Sequence, residues 1–342
     1  MRIDDLTTSA GAIALALLFV PPLAPSLPGL TRFEYTEPHM GTTFRVVLYA
    51  ADQAKADAAS QRAFARIAAI DARLTDYVET SELSRVTKEA VGHPVRVSDD
   101  LLKVLLPAQD LARRSEGAFD ITVGPLTHLW RRARRQVELP APDALAEALR
   151  LVGYQLLHVD AVARTVQVDR ADMRLDAGGI AKGYAADAAL FVLTAMGCSR
   201  ALVAAGGDLA IGDPPPDRKG WTVALEGLIP DHPAPGSPLT LSRCGVSTSG
   251  DEEQWVEIGG VRYSHILDPR TGMGLTGHSS VTVVAALATV SDMLATAVSV
   301  LGPEKGRALV DGWAGASALI GERTPQGDRW TRSARWRDKK PN

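Results

Sequence analysis

The sequence predicts an α+β fold, and three features carry that expectation. Helix-like and strand-like segments follow one another in mixed order, without the strand–helix–strand repetition of a doubly wound parallel sheet. One long amphipathic stretch, residues 51–74, is followed much later by a strand-rich stretch over residues 221–267. No internal repeat of fixed period runs through the chain, which argues against a solenoid or propeller. With 342 residues, 46% hydrophobic and 23% charged, the chain can bury one large domain or two intimately packed ones.

Taken in order, Arg2 precedes an apolar run over residues 10–20 that ends at Pro21-Pro22 and leads into Pro25 and Pro28. A membrane-spanning helix needs about 20 apolar residues, and this run is shorter. Residues 1–30 therefore read as a secretory signal peptide, with Ala24 as a candidate cleavage position. Asp4 and Asp5 weaken the basic start, so the second reading is an N-terminal anchor or unstructured leader that stays attached. No cysteine lies there, which excludes lipid attachment at a lipobox. Residues 31–342 are expected to form the working unit.

Residues 44–49 are β-branched and aromatic and read as a strand. Residues 51–74 set Ala59, Ala63, Ile67, Ile70 and Leu74 on one helical face. Ser98, followed by Asp99 and Asp100, is an N-cap for a helix running through Arg114. Residues 140–151 form a shorter helix, and residues 158–168 alternate as a hairpin around the turn from Ala161 to Arg164. Residues 173–175 read as a strand entering Gly178-Gly179, followed by a helix over 180–196 closed by Gly197. Residues 201–204 are a buried strand, and 254–258 pairs with 261–266 across Gly259-Gly260. A strand over 279–285 and a helix over 290–301 complete the order. Proline in residues 213–217 and 229–238 should keep both from holding a ladder, so they read as insertions.

A net charge of −3 gives no field that would recruit nucleic acid. The basic cluster Arg131, Arg132, Arg134 and Arg135 is local and reads as a solvated helix end. Two cysteines, Cys198 and Cys244, are too few for a disulfide scaffold or a Cys-rich metal site; a single bridge between them stays open.

Two stretches hold most of the chemistry. In Arg174–Tyr184 a double glycine opens a helix, an arrangement that lets backbone N–H groups and the helix dipole approach phosphate. Lys182 stands in that helix's first turn, where a cation opposes the dipole unless an anion lies between; otherwise it is a surface lysine. In Ser264–Gly272 a histidine, His265, precedes an Asp-Pro turn carrying Arg270. Its neutral imidazole could accept a proton near neutral pH, while alternation with buried positions also allows a structural histidine. Arg270 could pair with Asp268 or neutralise phosphate. Further on, Asp292 and Thr296 are four apart and share a helical face, so both oxygens can reach a hard cation; alone, Asp292 would be a helix cap. Tyr77 offers a stacking face or fills core, and Asp120 reads by itself as the N-cap of a short helix.

These stretches join Met40-Gly41-Thr42, Tyr77 with Ser81-Glu82-Leu83-Ser84, the run from Gly117 to Leu126, Gly206-Gly207-Asp208, Ser249-Gly250 and Ser291-Asp292 with Ala295-Thr296-Ala297. In this order they resemble the ApbE-type FAD:protein FMN transferases. That resemblance implies an α+β fold related to tandem T-fold units, with FAD in a cleft between two halves. It implies Mg²⁺ held by Asp292, Thr296 and the backbone carbonyl of Gly179, and FAD held by Met40, Tyr77, Asp120, Lys182 and Ile266. His265 is then the base for the acceptor hydroxyl. The activity implied is transfer of FMN from FAD to a Ser or Thr of an exported acceptor protein with release of AMP. The expected acceptor is a periplasmic subunit of a respiratory electron-transfer complex, and the enzyme itself would be periplasmic or anchored facing the periplasm. Hydrolysis of FAD to FMN and AMP is a second reading, and storage of FAD without turnover a third.

Overall fold

Eight antiparallel strands form one sheet whose order across the sheet is their order along the chain. They are β1 (Thr31–His39), β2 (Thr42–Ala50), β3 (Ala201–Ala205), β4 (Asp208–Ile211), β5 (Cys244–Gly250), β6 (Ser279–Ala285), β7 (Ser317–Thr324) and β8 (Gly327–Arg332). Among the described residues the α-helices are α1 (Gln53–Leu74), α2 (Glu82–Glu89), α3 (Asp99–Arg114), α4 (Gly124–Gln136), α5 (Pro142–Arg150), α6 (Ala181–Ala195) and α7 (Ala288–Asp311). This computed structural model describes residues 29–229, 232–250 and 255–337. The expected signal or anchor over residues 1–30 lies, up to residue 28, outside the described residues. Among the described residues no helix is long and apolar enough to cross a membrane.

The centre of the sheet is buried on both faces, which its strand sequences require. In β3 Ala201, Val203 and Ala205 point into one core and Leu202 and Ala204 into another, so the strand is apolar at every position. The first core packs the sheet against α1, α3, α6 and α7. The second lies behind the sheet under Trp221, Val223, Leu239 and Trp336. A third, smaller cluster joins α4 and α5 to the hairpin Trp255–Ile258 with Val261–Leu267, through Trp130, Ala148, Tyr263 and Leu267. The Trp130 indole donates to the Gly272 carbonyl at 2.7 Å and ties the two parts of that lobe together.

Local signals explain most boundaries. Asp52 caps α1 by accepting from the Lys55 N–H at 2.8 Å, and Ser98 caps α3 from the Leu101 N–H. Gly197, at φ +79°, closes α6: its N–H reaches the Thr194 carbonyl while that of Cys198 reaches Leu193, the paired bonds of a Schellman end. The Gly259-Gly260 hairpin and the hairpin of Leu157–Asp160 with Thr165–Val168 form as expected.

Three expectations need correction. Residues 173–175 do not make a strand; Arg174 forms one isolated parallel bridge to Val123 before the double glycine. Residues 229–238 are not a bare insertion, because His232–Pro233 pairs with Glu226–Ile229 and Ala234 is buried in the core behind the sheet. Proline is tolerated there because an edge ladder does not demand its missing N–H. The helix expected over 290–301 starts at Ala288 and resumes after a break at Gly302, whose φ of +74° and ψ of −179° precede Pro303. The bridge left open between Cys198 and Cys244 does not form; both are free thiols.

Candidate active site

The strand ends at one edge of the sheet, the start of α6 and the second turn of α7 enclose a cleft of about 640 Å³. All nine residues singled out from the sequence line it: Met40, Tyr77, Asp120, Gly179, Lys182, His265, Ile266, Asp292 and Thr296. They come from six separate parts of the chain, and only the tertiary fold brings them together.

At its floor lies an ion cluster. The Lys182 ammonium sits 2.7 Å from an Asp208 carboxylate oxygen and 3.7 Å from Asp292. Lys182 rises from the first turn of α6, Asp208 opens β4 after the tight turn at Gly206-Gly207, and Asp292 hangs from α7. Asp292 is almost wholly buried and also accepts the Gly183 N–H at 3.0 Å. Burial opposes the charge of Lys182, but the two carboxylates outweigh it and hold its pKa above the ordinary lysine range. Burial and the Asp208 carboxylate push Asp292 well above the usual carboxylate range, with Lys182 working against them. Two acids share one ammonium, leaving a negative surplus that a cation would relieve.

The donor chemistry fits a hard cation. Thr296 lies one turn beyond Asp292, and a Cβ on Gly179 would come within 3.0 Å of the Thr296 hydroxyl and 3.3 Å of the Phe119 ring. Gly179 is therefore glycine because Thr296 and Phe119 crowd it. Carboxylate, hydroxyl and main-chain carbonyl are the oxygen donors Mg²⁺ prefers. Among the described residues no three His, Cys, Asp or Glu side chains gather as a metal cluster, so this set holds one carboxylate and no soft ligand.

Most amides of the double-glycine element are already engaged within the protein. The N–H groups of Gly178, Ile180, Ala181 and Gly183 are taken by Asp176, Ala177, Ala177 and Asp292. What it presents to the cleft is Lys182 together with the Gly179 peptide.

At the mouth, Tyr77 is 77% exposed and so is not core filler. The Arg131 guanidinium lies 4.2 Å over its ring and pairs with Asp76 at 2.5 Å and with Asp176 at 3.5 Å. Arg131 and Arg134 thus line the cleft, correcting the reading of the whole basic cluster as a solvated helix end; Arg132 and Arg135 remain exposed. The i, i+3 spacing of these two arginines beside Trp130 was the available signal. Asp208 is the other residue whose part the sequence did not assign.

His265 is exposed on the strand Val261–Leu267 and lines the cleft together with Ile266 and Leu267, where the strand's pairing with Gly274–Thr276 is irregular. Ile266 donates its N–H to the Ser264 hydroxyl at 3.1 Å. Arg270 is bidentate on Asp268, with both bonds at 2.8 Å. Met40 sits in the β1–β2 turn at φ +50°, its N–H held by Asp71 at 2.9 Å. Asp120 is buried and accepts from the Thr122 N–H and hydroxyl at 2.9 and 2.7 Å, ordering the turn before α4; burial raises its pKa against those bonds.

The family model of the ApbE family matches residues 40–320. The chain belongs to the ApbE family. A FAD:protein FMN transferase of Klebsiella pneumoniae (strain 342) is 32% identical over 291 residues, covering 84% of this chain and 83% of that protein. One from Treponema pallidum (strain Nichols) is 35% identical over 296 residues, covering 82% of each. The crystal structure of the Pseudomonas stutzeri flavinyl transferase ApbE in its apo form superposes with a TM-score of 0.79 at 30% identity, over 91% of this chain and 97% of that one. The ApbE fold is thus the α+β arrangement described above, and the matched span contains every residue of the cleft floor.

Proposed function

We propose that this chain transfers the FMN half of FAD to a Ser or Thr hydroxyl of an acceptor protein and releases AMP. The observation that carries this reading is the convergence of Lys182, Asp208, Asp292 and Thr296 with His265 and Tyr77 in one cleft of an ApbE-family chain. The hydroxyl oxygen attacks the phosphorus on the FMN side of the pyrophosphate. A new P–O bond forms, the bond to the AMP phosphate breaks, and AMP leaves with the bridging oxygen. The hydroxyl proton passes to the His265 imidazole, which sits exposed on the cleft wall. The Lys182 ammonium offsets charge on the phosphates. Tyr77 supplies a ring face for flavin or adenine, and Met40, Asp120 and Ile266 shape the cavity that receives them. Asp292, Thr296 and the Gly179 carbonyl are the groups that would hold Mg²⁺, which would polarise the pyrophosphate and stabilise the leaving AMP.

The acceptor, in this reading, is an exported FMN-carrying subunit of a respiratory electron-transfer complex. Residues 1–30 would carry the chain across the membrane as a cleaved signal or an anchor, leaving residues 31–342 to act in the periplasm. Incubation with FAD, Mg²⁺ and such a subunit, followed by denaturing electrophoresis, tests the activity. Flavin fluorescence on the acceptor band is the expected result. Free FMN with an unlabelled band would make the protein a FAD hydrolase, and FAD recovered intact would make it a storage protein.

A further inference from the structure

Helix α7 begins without a cap of its own. Its N-cap residue, Leu287, is extended and provides no side-chain acceptor for the first N–H groups. Those groups are instead satisfied from a different helix. One Asp187 carboxylate oxygen, reaching across from α6, accepts the Ala288 N–H at 2.9 Å; the other accepts the Thr289 N–H at 2.8 Å and the Thr289 hydroxyl at 2.6 Å. A carboxylate at this end also opposes the positive pole of the α7 dipole.

The placement of Asp187 matters more than its energy as a cap. It lies four residues beyond Gly183 on the same face of α6. Gly183 donates its N–H to Asp292, and a Cβ at Gly183 would come within 2.3 Å of the Ala288 carbonyl. Successive turns of α6 therefore grip successive turns of α7, with Asp187 on Ala288 and Thr289, and Gly183 on Asp292. From the sheet side, the Ser247 and Ser291 hydroxyls meet at 2.8 Å and fix the same turn to β5. Asp292 and Thr296 stand on this clamped segment, while Gly179 and Lys182 stand at the start of the clamping helix. The oxygen donors come from α7 and from the turn that leads into α6, and the Asp187 bonds tie α6 to the start of α7.

We infer that Asp187 is a positioning residue for the cation site: by capping α7 from α6 it holds the Asp292 and Thr296 oxygens in register with the Gly179 carbonyl. This rests on the reading that those oxygens bind a divalent cation. A group that orients metal ligands typically changes metal affinity 10- to 100-fold when removed, whereas a cap that only stabilises the fold changes melting temperature and leaves affinity alone.

The test uses Mn²⁺ as the probe, with free Mn²⁺ measured by electron paramagnetic resonance against the full-length chain in the presence of FAD. Asp292→Ala fixes the lower limit. Asp187→Ala is expected to bind Mn²⁺ at least about 10-fold more weakly than the unaltered chain, at a temperature where circular dichroism shows both folded. Asp187→Asn, which keeps one acceptor oxygen, should fall between them, and Thr289→Val, which removes only the hydroxyl bond, should weaken binding roughly threefold. FAD affinity without metal should stay within about twofold, because Asp187 does not line the cleft. If Asp187→Ala does not fold, Asp187→Asn and Thr289→Val carry the same comparison. Wild-type Mn²⁺ affinity in the folded Asp187 and Thr289 variants, with binding lost in Asp292→Ala, overturns this inference alone. Unchanged Mn²⁺ binding in Asp292→Ala overturns the cation reading itself, and this inference with it.

Discussion

At the scale of single residues, the cleft separates side chains that hold from side chains that react. Tyr77 is exposed and carries the Arg131 guanidinium over its ring, so Tyr77→Ala should weaken FAD binding by roughly 1 kcal/mol and leave the melting temperature unchanged. A titration of FAD fluorescence beside a thermal melt checks both halves of that statement. His265 is exposed on the cleft wall, so His265→Asn should bind FAD normally yet lose 10²- to 10⁴-fold in FMN transfer, roughly the contribution of a general base. The wild-type rate should rise with pH through the histidine's titration, and the variant's residual rate should lack that limb. A variant unable to bind FAD would make this histidine a cofactor contact instead. Asp292 gives a pH-dependent stability. Its folded pKa is raised, so in metal-free protein its ionisation costs stability; the cost is absent below the ordinary carboxylate value, grows as pH rises toward the raised value and stays constant above it. Metal-free Asp292→Asn should therefore melt higher than wild type at pH 8, with the difference shrinking as pH falls. Equal melting temperatures at pH 8 would show that Lys182 already cancels the strain between the two acids.

Elements meet at this site through glycines that the packing requires. The α6–α7 crossing brings the Ala288 carbonyl to within 2.3 Å of where a Gly183 Cβ would stand, and that atom is backbone, unable to rotate away. Gly183→Ala must push the helices apart, and overpacking of this kind costs about 1–3 kcal/mol. Because the same residue's N–H holds Asp292, the substitution should also lower transferase activity at limiting Mg²⁺. A denaturant melt together with a Mg²⁺ titration measures the two effects. Retention of wild-type stability would mean that α7 can slide on α6, contrary to the clamp formed by Asp187 and Ser247.

Over the whole molecule, the cleft draws its walls from all of the packing. Phe119, Ala177 and Ala181 belong to the core in front of the sheet, and Trp130 and Leu267 to the lobe of α4, α5 and the hairpin. A ligand filling the cleft bridges these units. FAD at a hundred times its dissociation constant should stabilise the fold by about 2.7 kcal/mol and raise one cooperative transition in calorimetry. A lobe transition left unmoved by FAD would show that α4, α5 and the hairpin take no part in binding.

Much of this was written in local pattern. The i, i+4 pair of Asp292 and Thr296, the cap at Ser98, the Gly197 helix end and the Gly259-Gly260 hairpin each depend on neighbours within a turn or two, so the sequence alone determined them. Motif order along the chain likewise determined the family, and with it the nine residues later found in one cleft. Other features depend on partners far away in sequence. Lys182 meets Asp208 only because β4 pairs with β3 beside α6, and Arg131 turns from solvent to the cleft only because Asp76 and Asp176 face it. The amides of Gly178 and of Gly183 one turn further on looked available until Asp176 and Asp292 arrived to occupy them. Residues 232–233 pair despite proline because they lie at an edge, a property of the sheet and not of the dipeptide. Hydrogen bonding and periodicity act over a few residues and leave a mark in the sequence; the choice of ion partner, and of which face of a helix meets a ligand, is made by tertiary packing.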